Sequence, residues 1–304
     1  MRKLLTAYSV IASIALTFIL ITAFVEGGSD NTTADDVVDR KLPQQIHSID
    51  VDKEHAFSGE RVPTDNFDAR ERLDRELSVN SYWHSSTLLN VKNAGRYFPV
   101  IEPILKEHGV PDDFKYLAVI ESNLRNVTSP AGAKGIWQFM KPTGQAYGLE
   151  INGEVDERYH IEKATHAACA YLKDYYEQFG SWTLAAAAYN MGGPRLKKTL
   201  AEQHAKTYYD INLNPETSRY IFRIIAVKEI MNNPEAYGFI VGDDDLYEPL
   251  DYSVVEVSET VDSWGEFAEE QGISYRMLKV YNPWLISGKL TCSGKKIYEI
   301  KMPS

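Results

Sequence analysis

The stretch KYLAVIESNL, Lys115 to Leu124, sets a single carboxylate, Glu121, inside an apolar run. An ionised carboxylate on a buried face is costly unless it is paired; otherwise its pKa rises and it stays protonated. A helix beginning at Pro111 places Phe114, Leu117, Ala118, Glu121 and Leu124 on one face, so Glu121 points with the hydrophobic residues. The alternative is a structural glutamate that snorkels at the edge of that face or pairs with Arg125 one turn on. The following segment, TSPAGAKGIWQFM, favours chemistry. Its glycines let backbone approach a ligand closely, Ser129 offers a hydroxyl and Gln138 an amide, and Trp137, Phe139 and Met140 can wall off water. A carboxyl in such surroundings is a candidate general acid at neutral pH, the requirement for cleaving a glycosidic bond.

The elements that must position these groups are helical. Patterns of helical period run through FDARERLDRELSV and YWHSSTLLNVKNAGRYFPVIEPILKEHG, then KATHAACAYLKDYYEQFG, SWTLAAAAYNMGG and ETSRYIFRIIAVKEIM, with loops rich in Gly, Pro and Asn between them. In SWTLAAAAYNMGG, Trp182, Ala185, Ala186 and Tyr189 form one stripe, with Gly192, Gly193 and Pro194 ending the helix. Tyr189 then carries its hydroxyl either to a cleft or into the core. Tyr220, Ile224, Val227 and Met231 form another stripe, and Glu216 stands where a helix start is capped. Residues of roughly 65–240 are thus expected to be one helical domain. After FIVGDDDLYEPLD the pattern changes to a strand, two helical pieces and a final strand, a small α+β module over 250–304.

The chain of 304 residues carries a net charge of -11, which argues against a nucleic-acid partner. Its two cysteines, Cys169 and Cys292, make no disulfide framework. Arg2 and Lys3 precede an uncharged run from Leu4 to Val25, about the ~20 residues that span a bilayer. Residues 1–26 are therefore expected to be a membrane anchor or a signal segment, either of which carries the rest out of the cytoplasm. Residues 27–64 are polar and aperiodic, as a tether would be. His160 and His166 do not share a helix face, there is no G-x-G-x-x-G and no Walker pattern, and no metal or cofactor is expected.

ESNLRNVTSPAGAKGIWQFMKPTGQAYGL, AAAAYNMGGPRL and PETSRYI, in that order, resemble the catalytic domain of lytic murein transglycosylases, most nearly the membrane-bound D type. The resemblance covers about 96–231 and implies a lysozyme-like helical fold and cleavage of the MurNAc–GlcNAc β-1,4 bond of peptidoglycan strands. It implies that Glu121 acts alone, as general acid and then base, in closing a 1,6-anhydro ring. It also implies that Ser129, Gln138, Met140, Tyr189, Asn190 and Tyr220 contact substrate or line the cleft, with the Tyr189 hydroxyl near the catalytic carboxyl. DERYHIEKAT fits the same family and reads as structural. The C-terminal module resembles a LysM peptidoglycan-binding module in its opening Tyr-x-Val strand, its SWGEFAEEQGIS helix and its LKVYNPWL segment. It departs at Val257 to Thr260, where the family has a Gly-Asp-Thr turn that helps hold glycan. Tyr281, Asn282 and Trp284 are either sugar-stacking groups or core. Two rival functions remain open: a hydrolase of goose-type-lysozyme kind, which needs a second carboxylate, and a non-catalytic peptidoglycan-binding scaffold.

Overall fold

The computed structural model describes residues 47–292 and 296–304; the expected membrane segment and most of the tether lie outside the described residues. Among the described residues no helix is long and apolar enough to cross a membrane. A hairpin of β1 (Ala56–Phe57) and β2 (Glu60–Arg61) precedes α1 (Phe67–Tyr82), α2 (His84–His108) and α3 (Phe114–Ser122). After a long loop come α4 (Lys141–Ala146), α5 (Ile161–Phe179), α6 (Trp182–Met191), α7 (Gly193–Glu202) and α8 (Pro215–Asn232). The C-terminal module is β3 (Tyr252–Val257), α9 (Trp264–Glu270), α10 (Tyr275–Tyr281) and β4 (Tyr298–Pro303). The fold is mainly α, with a small βααβ module at its end, as the periodicity predicts.

The central element is α3. Phe114, Leu117, Ala118 and Val119 are fully buried on all sides of it, so it is a core helix that meets solvent only near its C-terminal end, at Ile120 and Glu121. It starts at Phe114 and not at Pro111, because the amides of Phe114 and Lys115 turn back onto the carbonyls of Pro111 and Asp112 in a tight three-residue turn. It ends one residue after Glu121. Asn123 (φ 54°) and Leu124 (φ 53°) both adopt the left-handed region, so Leu124 is buried by the turn and does not continue the helical stripe.

Two further details depart from the periodic reading. Residues 48–64, expected as part of the tether, belong to the folded unit: Val51, Phe57 and Val62 lie in the main core. Three apolar residues so far apart leave no period to read. Glu60 of β2 accepts hydrogen bonds from the Trp182 and Thr183 amides at the start of α6, where a carboxylate meets unpaired N–H groups and the positive end of the helix dipole. Gly193 and Pro194, read as ending α6, in fact open α7; the stop itself is Gly192, at φ 86°.

In the module, β3 and β4 pair antiparallel from Tyr252↔Pro303 to Val257↔Tyr298, and Tyr298, Ile300 and Met302 alternate inward. Their core is shared with the helical domain: Val155 is buried among Trp264, Leu278, Leu285 and Ile300. Val155 also bridges Leu285, and the Asp156 amide donates to the Trp284 carbonyl at 2.9 Å. Trp284 and Asn282 are buried, and the Asn282 amide binds the Leu278 and Lys301 carbonyls at 3.0 and 2.7 Å. These two are core residues, which resolves the alternative left open for them.

Candidate active site

Glu121 occupies the penultimate position of α3, half-buried, with protein packed closely around a carboxyl that still meets solvent. The Tyr220 hydroxyl, from the middle of α8, donates to Glu121 Oε1 at 2.5 Å. Burial pushes the Glu121 carboxyl up to about 7, although the Tyr220 hydrogen bond and the Arg223 guanidinium pull it down; Glu216 adds an upward push. Burial and the nearby Glu121 charge raise the Tyr220 phenol well above its usual range, so Tyr220 remains a donor at any working pH.

Helix α8 is held in register by an ion pair on a buried carboxylate. Arg219 donates from Nε to Glu76 Oε1 at 2.6 Å and from Nη2 to Oε2 at 3.1 Å, and Glu76 on α1 is fully buried. The residue after Arg219 is Tyr220, so the clamp sets where its hydroxyl falls. Tyr220→Phe removes a hydrogen bond to the charged form of Glu121 and is expected to move the alkaline limb of the kcat/KM profile up by about one pH unit. An unshifted limb would mean that Tyr220 does not tune Glu121.

The Tyr189 hydroxyl does not reach Glu121; it donates to the Trp137 carbonyl at 2.6 Å. Burial first, and then the Glu121 charge, push the Tyr189 phenol well above its usual range, and its hydroxyl pins the adjoining loop. Ser122 pins the same loop from the other side, donating to the Ile136 carbonyl at 2.8 Å. The Ser129 hydroxyl accepts the Ala133 amide at 3.0 Å and so closes a turn. The Gln138 amide nitrogen donates to the Gly135 and Val127 carbonyls at 2.7 and 3.2 Å, with its own backbone at φ 52°. Met140 is 43% exposed at the start of α4, and Asn190 is half-buried with no hydrogen-bond partner among the described residues. The expected residues thus fall into three groups. Tyr220 hydrogen-bonds the carboxyl, and Ser129, Gln138 and Tyr189 use hydrogen bonds to shape the loop beside it, while Met140 and Asn190 do neither.

That loop is clamped by residues read from sequence as structural. Arg158 and Asp156, both buried, form a bidentate pair at 2.8 and 2.7 Å, and Arg158 Nη1 donates to the Gly132 and Phe139 carbonyls. Burial alone would raise the Asp156 carboxyl, but Arg158 and then Lys134 hold it below the usual carboxylate range. The loop passes so close that a Cβ at Gly135 (φ 80°) would lie 1.8 Å from the Arg158 carbonyl oxygen, which only glycine permits. Neither Ser122 nor Arg223 is conspicuous in the sequence. Arg223 could have been found only from its position one turn after Tyr220 on α8.

A possible metal-ligand group lies elsewhere. The donor atoms of Glu107, His108 and His166 fall within 4.8 Å of one another, and His108 Nε2 lies 2.8 Å from His166 Nδ1. Only the fold brings His108 of α2 to His166 of α5, and none of the three belongs to the Glu121 site. Cys169 and Cys292 are free thiols.

Comparison with known proteins agrees with this architecture. Residues 98–212 match the transglycosylase SLT domain, and residues 253–304 match the soluble lytic transglycosylase C-terminal LysM-like domain. The chain is 30% identical over 248 residues to membrane-bound lytic murein transglycosylase D of Escherichia coli K12, with 79% of this chain and 53% of the relative covered. The protein of that name from Escherichia coli O6:H1 matches to the same extent, so the chain spans about half the length of the curated relatives it matches. Among solved structures, an inactive mutant of lytic transglycosylase Slt from Pseudomonas aeruginosa is similar at 20% identity and a TM-score of 0.41, over 60% of this chain and 31% of its own. The SLT match stops before α8, so Tyr220, which hydrogen-bonds the Glu121 carboxyl, lies beyond it. The chain therefore carries an SLT transglycosylase domain followed by a LysM-like domain of the soluble lytic transglycosylase type.

Proposed function

We propose that this protein is a lytic transglycosylase of the cell envelope, held on the periplasmic side by its N-terminal segment of residues 4–25, or released from it by cleavage. It cleaves the MurNAc–GlcNAc β-1,4 bond of peptidoglycan and leaves a 1,6-anhydroMurNAc end. The observation that carries the reading is Glu121 itself: a half-buried carboxyl raised to about 7, held by a phenol that remains protonated. Such a group is protonated often enough near neutrality to donate, and acidic enough to act next as a base. In the first step Glu121 gives its proton to the glycosidic oxygen as the C1–O bond breaks, and the substrate's N-acetyl oxygen steadies the charge on C1. In the second, the Glu121 carboxylate takes the proton of the C6 hydroxyl as that oxygen bonds to C1. The carboxyl is restored and no water is consumed. Ser129, Gln138, Met140, Tyr189 and Asn190 form the loop and helix end along which the strand lies.

A hydrolase is the second reading, and one observation speaks for it: Glu216 is a carboxylate whose field reaches Glu121. In that role Glu216 would direct a water at C1. Mass spectrometry of the muropeptides released from purified peptidoglycan separates the two. Anhydro ends from the parent, undiminished in Glu216→Gln, are expected. Reducing ends that disappear in Glu216→Gln would replace the transglycosylase by a hydrolase. Binding to peptidoglycan with no release would favour the scaffold.

A further inference from the structure

Between the helical domain and the LysM-like module lies a cavity of about 420 Å³ that belongs to neither alone. Tyr97 on α2, Tyr159 and His160 form one side, and Tyr252, Arg276 and Tyr281 of the module form the other. The volume falls in the range of about 300–1,000 Å³ usual for small-ligand sites.

Its charge is unlike that of the rest of the chain. The protein as a whole is acidic at -11, yet the wall carries Arg96, Arg276, Lys279 and Lys301 against one carboxylate, Glu162. Glu162 is already engaged. Lys301 pairs with it, and His160 Nδ1 lies 3.1 Å from its Oε2, out of line for a hydrogen bond. The other three cations have no carboxylate partner among the described residues. Arg96 donates to the Glu248 carbonyl at 3.0 Å and stacks over Tyr247. Lys279 donates to the Leu285 and Ser287 carbonyls, and burial holds its ammonium below the usual lysine value. Arg276 is exposed and makes no hydrogen bond or ion pair among the described residues. Cations gathered without counter-ions in an acidic protein are poised for an anion.

The cavity adjoins the catalytic loop. Asn126, in the segment between Glu121 and Ser129, lines it and donates to the Tyr159 carbonyl at 3.4 Å. The Tyr159 hydroxyl meets Thr128 Oγ1 at 2.9 Å.

We infer that this seam binds the carboxylate-bearing peptide stem of peptidoglycan, with Arg276 and Arg96 facing its carboxylates and the aromatic walls covering its apolar parts. The inference deepens the proposed function and rests on it: a strand at Glu121 would carry its stem into the seam. Acidic surfaces would repel such a substrate, and the seam supplies the local attraction that the net charge denies.

The test titrates the N-acetylated stem tetrapeptide L-Ala–D-isoGlu–diaminopimelate–D-Ala into the full chain in detergent micelles by calorimetry. Saturable binding is expected, weakened about fivefold or more in Arg276→Glu and largely kept in Arg276→Lys. Arg276→Glu should also raise KM on peptide-bearing glycan strands without changing kcat, and leave peptide-free strands untouched. Glu121→Gln should bind the peptide as the parent does. No saturable binding, or binding indifferent to Arg276→Glu, overturns the inference. So does an equal loss of peptide-free glycan binding in Arg276→Glu, since the seam would then hold sugar. A parent that binds the peptide but cleaves no strand would leave the seam standing and remove the proposed function instead.

Discussion

Glu121→Gln is expected to release no muropeptides from peptidoglycan and yet to unfold at a higher temperature than its parent above pH 7. Both effects have one cause. The folded protein holds the Glu121 carboxyl at about 7 where an unfolded chain holds it near 4.5, so folding favours the protonated form. Below the unfolded value the carboxyl is neutral in both states and costs nothing. As pH rises through the folded value the side chain must ionise in place, and that stabilising preference is lost. Glutamine is neutral at every pH and accepts the Tyr220 hydrogen bond through its own oxygen. It should therefore match the parent near pH 4 and exceed it near pH 8 by on the order of 2 kcal/mol, after allowing for the solvent that still reaches the half-buried carboxyl. Removing the group proposed to donate and accept the proton in both steps should lower cleavage by about 10³-fold or more. Thermal unfolding at the two pH values, beside muropeptide release, checks both. A mutant that is less stable at pH 8 would mean that Glu121 is a structural residue, held in place by favourable contacts of its charge.

Asp156→Ala is expected to cost about 3–5 kcal/mol, the usual result when one member of a buried ion pair is removed and the other is left without its counter-charge. The stranded group is the Arg158 guanidinium, 4% exposed as a residue and held by the Gly132 and Phe139 carbonyls as well as by Asp156. The damage should spread in two directions. Toward the active site, the 132–139 loop loses the clamp that sets Gln138 and the Trp137 carbonyl, so cleavage should fall beyond what lost stability explains. Toward the C-terminus, the Asp156 backbone, no longer fixed through its side chain, carries the amide that donates to the Trp284 carbonyl, beside Val155 in the core of the LysM-like module. Limited proteolysis should then cut within 246–251 sooner than in the parent. Replacing both partners, Asp156→Leu with Arg158→Met, should cost less than Asp156→Ala alone, because no charge is left stranded. If the double change costs the sum of the singles, the pair does not act as a unit.

The same connections change how the module is understood. A LysM-like domain read from sequence alone invites the picture of a separate binding unit on a linker. Here it shares a core with the helical domain, and Lys296 and Tyr298 both bind Glu150. The turn at Val257 to Thr260, where this chain departs from the LysM pattern, becomes less important than the face joined to the 150–162 segment. Trp284 serves that face: it stacks on Tyr298 with centroids 6.0 Å apart and lies against His160 at 5.6 Å.

What the sequence by itself determined is what repeats at short range. Helical periods locate α3, α5, α6 and α8, since an apolar face recurring every three or four residues can be buried only by a helix against a core. The change after residue 250 to short β-rich runs, YSVVEV and KIYEIKM, around two helical pieces marks the module in the same way. Glu121 is legible because one carboxylate interrupts an apolar run, and the glycines around it announce a loop that must pass close to something. What that something is only the tertiary structure decided. Gly135 faces the Arg158 carbonyl, the Tyr220 hydroxyl and not that of Tyr189 meets Glu121, and His108 finds His166 across two helices. Each of these pairs joins residues far apart in the chain, and their meeting depends on helix ends and register, which a shift of a single residue would undo. The seam is the extreme case: its cations come from α2, α10 and β4, and none of them is unusual until the fold sets them around one cavity without enough carboxylates to answer them.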